Sequence, residues 1–171
     1  PPTPTHTLSL PDALPISQRV ILGVDGVRSV HMLRTRRHGH QAAADVHVQV
    51  DPRLSVSEGH MISQAVEDRV IQGAEANTDV TVHIDPEDDE DAPTCRGLPM
   101  RGDAVAALRD AWVGLDAMGS DSEIRLHYLS GRIEVELILP LSRLDDHETQ
   151  AALTKAATGL PWFGGVRLLY G

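Results

Sequence analysis

The sequence is short of four things, and each lack closes a class of function. It has a single cysteine, Cys95, which excludes an internal disulfide framework, a cysteine-rich zinc finger and a C-x-x-C redox site. Aromatic residues make up 3% of the chain, too few for the stacking platforms that hold bases or sugar rings. No stretch approaches the roughly 18 consecutive apolar residues that cross a bilayer as one helix. Positive charge is outweighed, since 15 Lys and Arg stand against 25 Asp and Glu, for a formal net charge of −10. No basic patch is segregated along the chain, so nucleic acid is not an expected partner. There is also no H-E-x-x-H helix, no nucleophile elbow and no phosphate-cradling loop, and the chain is not expected to be an enzyme.

What is present is a foldable chain. Of its 171 residues 41% are hydrophobic and 23% charged, enough for one ordinary domain or two very small ones. Nine histidines are a high number for this length, and they carry most of the chemistry. The basic residues are arginines apart from Lys155, a usage that suits a high-GC bacterium.

Residues 1–17 (PPTPTHTLSLPDALPIS) read differently from the rest. Their prolines forbid a regular helix, and no strand alternation replaces it. The string TLSLPDALPIS looks like translated sequencing-adapter read-through. On that reading the segment is non-native and the true N-terminal part is missing. Residues 18–86 follow the pattern of a small α/β unit. Val20, Ile21 and Val24 end a helix near Gly26, and Val27 to Arg37 forms a strand. RHGHQ turns the chain, and Ala43 to Val50 alternates sharply. Ser55 with Glu58 fits a capping box opening a helix over Val56 to Gln72, with Met61, Ile62, Ala65, Val66 and Val70 as its core stripe. Val80, Val82 and Ile84 alternate in a third strand. The order is α-β-β-α-β. Residues 87–99 begin with the acidic run EDDED and read as a solvated linker. From residue 100 the order repeats. Asp103 caps a helix bearing Val105, Leu108, Trp112 and Leu115, then Glu123–Leu129 and Arg132–Leu139 pair across Ser130-Gly131. Asp145 to Ala157 is a helix and Val166 to Tyr170 a last strand. The expected fold class is therefore α+β, with two modules of similar α-β-β-α-β order in tandem.

Alternation in the first module sorts its histidines. On two strands the valines and isoleucine must face the helices, which leaves His47 on one and His83 with Asp85 on the other. A β-α-β connection makes these strands parallel neighbours. Three metal-ligand side chains then share the face that the helices leave open, and imidazole nitrogen with carboxylate oxygen suits Zn²⁺ and other divalent first-row ions. His31 on the first strand and His60 early in the helix are two further candidates. An open sheet face on so small a module also wants cover, which a second copy can supply.

These residues carry a resemblance. GVRSVHMLRTRRHG, ADVHVQVDPRLSVSEGHMI and DVTVHIDPEDD are similar, in that order, to the cytoplasmic C-terminal domain of cation diffusion facilitator transporters. The resemblance covers Gln18 to Pro86. It implies a ferredoxin-like domain that pairs with itself in a homodimer. It also implies a metal, zinc in many members, held at the subunit interface by histidines and an aspartate. The matching positions are His31, His47, His60, His83 and Asp85. The implied role is that of a cytosolic regulatory domain of a divalent-cation efflux transporter at a bacterial inner membrane. Its partner would be the transporter's own transmembrane domain, which this sequence does not include. Since ligating imidazoles must be neutral, occupancy is expected to fall as pH drops through roughly 6 to 7.

The second module departs from the pattern. Its outward strand positions carry Glu134 and Glu136, its last strand has no His-x-Asp, and His127 and His147 stand isolated. It reads as free of metal, an added dimerisation or regulatory element. His38 and His40 read as solvated turn residues, Arg34, Arg36 and Arg37 as pairing groups, and Trp112 and Trp162 as packing. Cys95, with no base near it in sequence, is not a nucleophile. The alternative to a transporter domain is a stand-alone ferredoxin-like protein that buffers metal or senses a small ligand. Six hydrophobic spans upstream of Gln18 would decide for the transporter.

Overall fold

A computed structural model of the chain describes residues 18–38, 41–73, 78–88, 91–115, 119, 122–143 and 147–171. The chain divides into two compact units, Pro1–Asp88 and Asp89–Gly171. The adapter-like residues 1–17 lie outside the described residues.

In the first unit residues 18–22 are helical. Strand β1 (Ser29–His38) and strand β2 (Gln41–Gln49) follow, then helix α1 (Val56–Gly73) and strand β3 (Thr78–Asp85). The sheet order is β1-β2-β3, with β1 antiparallel and β3 parallel to β2. This is the ferredoxin-like α-β-β-α-β order. Every second residue of β2 drives it: Ala44, Val46 and Val48 are buried against Ile21, Val24, Val66, Val70 and Val80. Valine suits this place twice, because β-branching favours strands and its volume packs without a polar atom. The capping box closes as the sequence implies. The Glu58 N–H donates to Ser55 Oγ and the Ser55 N–H to Glu58 Oε2, each at 3.2 Å. Gly26 sits at φ +87°, and a Cβ there would lie 2.6 Å from Ile62 Cδ1. Only glycine meets both demands.

One member of the helix stripe is misplaced by the sequence reading. Met61 is 63% exposed, because at 100° per residue the buried line through Gly59, Val66 and Val70 passes Ile62 and leaves Met61 to one side. The expected turn RHGHQ straddles the described boundary. His38 ends β1 and Gln41 opens β2, while Gly39 and His40 lie outside the described residues.

The second unit repeats the topology. Helix α2 (Arg101–Ala111), strand β4 (Glu123–Leu129), strand β5 (Arg132–Leu139), helix α3 (His147–Ala157) and strand β6 (Phe163–Tyr170) follow in order. The sheet order is β4-β5-β6, again antiparallel then parallel. Ser130 and Gly131 turn the hairpin with φ of 50° and 70°, the left-handed pair that a type I′ turn requires. The core is bulkier than the first: Trp112, Ile133, Leu137, Leu139 and Leu153 are almost wholly buried, and Trp112 Nε1 donates to Leu153 O at 3.0 Å.

Two expectations fail here. Asp103 does not cap α2. The N-cap is Met100, which makes no side-chain cap bond, and Asp103 lies within the first turn, where its charge still favours the helix dipole. Strand β6 begins at Phe163 rather than Val166. Gly164 and Gly165 interrupt the alternation, yet Gly164 is what lets the strands approach. A Cβ there would meet Arg132 Cβ, Glu134 Cγ and Ile133 O at 3.3 Å each.

Candidate metal centre

Parallel pairing sets His47 opposite His83 and Gln49 opposite Asp85. Since Val46, Val48 and Val80 are packed against the helices, alternation turns His47, His83 and Asp85 to the other face. His31 joins them by a device that strict alternation does not foresee. Val30 pairs with Val48 and Met32 with His47, so His31 is an extra residue in β1. It forms a β-bulge in which His31 and Met32 together oppose His47. Bulges re-aim side chains in this way.

The result is a compact donor set. His47 Nδ1 lies 2.9 Å and His31 Nε2 3.2 Å from Asp85 Oδ2. One ligand atom from each of the three lies within 4.8 Å of the others, and no other such group occurs among the described residues. The side chains are 7% (His31), 22% (His47) and 13% (Asp85) exposed. The three ligand atoms of a tetrahedral zinc sit about 3.3 Å apart, given bonds of about 2.0 Å, so these positions need only small rotations to close on an ion. His31 Nε2 faces Asp85 Oδ2 without hydrogen-bond geometry, and Nδ1 has no hydrogen-bond partner among the described residues. A buried imidazole without such partners is costly, and a bound cation would relieve that cost. The donor set therefore fits a divalent ion: two neutral nitrogens and one carboxylate.

His83 is exposed and stacks on His47, with ring centroids 4.3 Å apart and an interplanar angle of 14°. It stands beside the three-residue group without belonging to it. His60 is not brought there at all. It is exposed on α1 and lines a hollow of about 510 Å³ together with His83, Asp51 and Ser63.

The second unit corrects the view of His127 as isolated, and it buries the outward-facing Glu136. Glu136 is the one buried charged residue among the described residues. Its Oε2 lies 3.2 Å from His127 Nε2, and its Oε1 lies 3.9 Å from Arg167 Nη1. Alternation identified the face correctly, but His127 on β4 and Arg167 on β6 lie against the carboxylate, which period-2 counting cannot show. Elsewhere, Arg36 pairs with Asp45 at 2.7 Å, Arg34 is exposed and Cys95 is half-buried. The side chains of Arg37, His38 and His147 lie outside the described residues.

Residues 14–87 match the family model for the cytoplasmic domain of cation efflux proteins. Metal tolerance protein C1 of Arabidopsis thaliana is 42% identical over 72 residues, covering 42% of this chain and 15% of its own length. Cation-efflux pump FieF of Pectobacterium atrosepticum is 33% identical over 67 residues, covering 39% and 22%. Manganese efflux system protein MneP of Bacillus subtilis is 26% identical over 76 residues, covering 44% and 26%. The chain thus spans about a quarter or less of each of these relatives. Among solved structures, a nickel form of a MamM CTD variant is 26% identical with a TM-score of 0.42, covering 44% of this chain and 96% of that one. A cadmium form of another MamM CTD variant is 29% identical with a TM-score of 0.38, covering 43% and 93%. Residues 14–87 of this chain are thus similar to the cytoplasmic domain of cation efflux proteins, and a second α-β-β-α-β module follows them.

Proposed function

We propose that residues 18–86 form the metal-responsive regulatory domain of a divalent-cation efflux transporter, with residues 87–99 as tether and residues 100–171 as a module without a metal of its own. The observation that carries this reading is the convergence of His31, His47 and Asp85 on the helix-free face. His83, stacked on His47, is the fourth ligand to hand. His60 lies outside this group and lines a hollow with His83, so it takes no part in the three-residue site. Relatives named for metal tolerance, cation efflux and manganese efflux support a divalent metal as the cargo, and the nitrogen-rich donor set favours zinc over harder ions.

The face works by linkage. Without metal, a nearly buried carboxylate and two imidazoles lie within 4.8 Å of one another. An ion cancels the carboxylate charge and fixes both rings, and in a homodimer it draws two such faces together. A ligand that favours the closed pair shifts the population toward it. The closed pair then biases the membrane helices to which the domain is joined. Each ligating imidazole must shed a proton, so binding weakens in acid.

Calorimetric titration of the 171-residue chain with Zn²⁺, alongside Asp85→Asn and His47→Ala, tests the reading. Saturable binding weakened at least tenfold in both variants is expected, with a sedimentation shift toward dimer on metal. A chain that dimerises and binds no zinc would leave a purely structural pairing domain.

A further inference from the structure

The second sheet offers a direct counterpart to the metal face. Aligning the buried residues fixes the equivalence, since Val46 pairs with Val82 and Val135 with Val166. Stepping one residue along each strand brings Glu136 to the place of His47 and Arg167 to the place of His83. Two residues further along that strand, Leu169 replaces Asp85. The carboxylate has moved to the central strand, and a guanidinium stands beside it.

Burying a carboxylate is expensive unless an opposite charge or hydrogen bonds compensate it. In the first module the compensating cation must come from solution. In the second it is built in. Arg167 is permanently charged and offers five N–H donors but no lone pair. It stabilises Glu136, cannot ligate, and repels a divalent ion from the carboxylate and imidazole that otherwise make half a site.

We infer that the second module is a metal-site counterpart held shut by Arg167, so that it neither binds nor responds to divalent metal, and that Arg167→His opens a site made of His127, Glu136 and the new imidazole. The donor set would then equal that of the first module: two imidazoles and one carboxylate. The comparison rests on the metal reading of the first face, but its test does not, because the test is made with that face disabled.

The experiment uses the full chain carrying His47→Ala and Asp85→Ala. Native mass spectrometry with Zn²⁺, and visible absorption with Co²⁺ as a coordination probe, count the ions. The disabled chain is expected to hold none. Adding Arg167→His is expected to give one further ion per chain and a cobalt d–d band, both removed by Glu136→Gln. Circular dichroism checks folding, and Arg167→Cys serves as a second donor where the histidine variant does not fold. An ion held by the disabled chain and lost on Glu136→Gln would overturn the inference, because the site would already be open. A folded Arg167→His or Arg167→Cys chain that gains no ion would overturn it equally. Failure of the earlier reading shows up separately, as a chain with its first face intact that binds nothing.

Discussion

The first module packs its sheet with valine, alanine and isoleucine and buries no aromatic residue in its core. The second fills the same topology with Trp112, Phe163 and leucines. On the helix-free faces the contrast is chemical. One carries His31, His47, His83 and Asp85, and the other His127, Glu136 and Arg167. An α-β-β-α-β frame is thus indifferent to the grain of its core so long as alternate strand positions stay apolar. What the module does is decided on the face that folding does not use.

The largest expected effect separates the two cores. Trp112→Ala should cost the second module about 3–5 kcal/mol, because it empties the centre of that core and removes the bond to Leu153 O. Urea unfolding followed by Trp162 fluorescence reads it, and zinc binding by the first module should survive. Gly26→Ala strikes the first module instead. The left-handed φ and the 2.6 Å clash with Ile62 should cost about 1–3 kcal/mol, visible as a lowered thermal midpoint. A first module of unchanged stability would mean that the Gly26 turn is not what seats α1.

His31→Leu should divide stability from binding. It removes a buried imidazole without a hydrogen bond but also its 3.2 Å contact with Asp85, so the metal-free chain should change by less than about 1 kcal/mol while zinc affinity falls at least tenfold. Calorimetry and thermal melts in chelator measure the two halves. Equal losses in both would place the value of His31 in packing. Ser55→Ala should cost about 1 kcal/mol through the capping box, whereas α2, which has no side-chain cap, has no equivalent to lose. Arg36→Ala, an exposed ion pair with Asp45, should change stability by about 0.2–1 kcal/mol.

Much of this was legible in residue order. Valine alternation in β2 and β3 gives the strands and their faces, and Ser55-x-x-Glu58 marks the start of α1. Ser130-Gly131 marks the second hairpin. The tandem repeat of element order follows from these signs with little residue identity between the modules. The remainder depends on distances along the chain. Residues 29 to 38 suggest a plain strand, yet Val30 and Leu33 both pack on the core side, three apart, which no regular strand allows. That spacing was the available sign of the bulge. The burial of Glu136 left no such sign, since it arises from side chains on neighbouring strands closing over one carboxylate.

The bulge at His31 ties a proposed metal ligand to chain length. Remove that residue and the ladder becomes regular, with Val30 against Val48, Met32 against His47 and Leu33 against Val46, the pairs they already form. The core would not notice. One inserted or deleted codon can therefore add or erase the proposed coordinating group while the other strand residues keep their partners, so on the proposed reading metal sensitivity comes or goes in a single step without an unfolded intermediate.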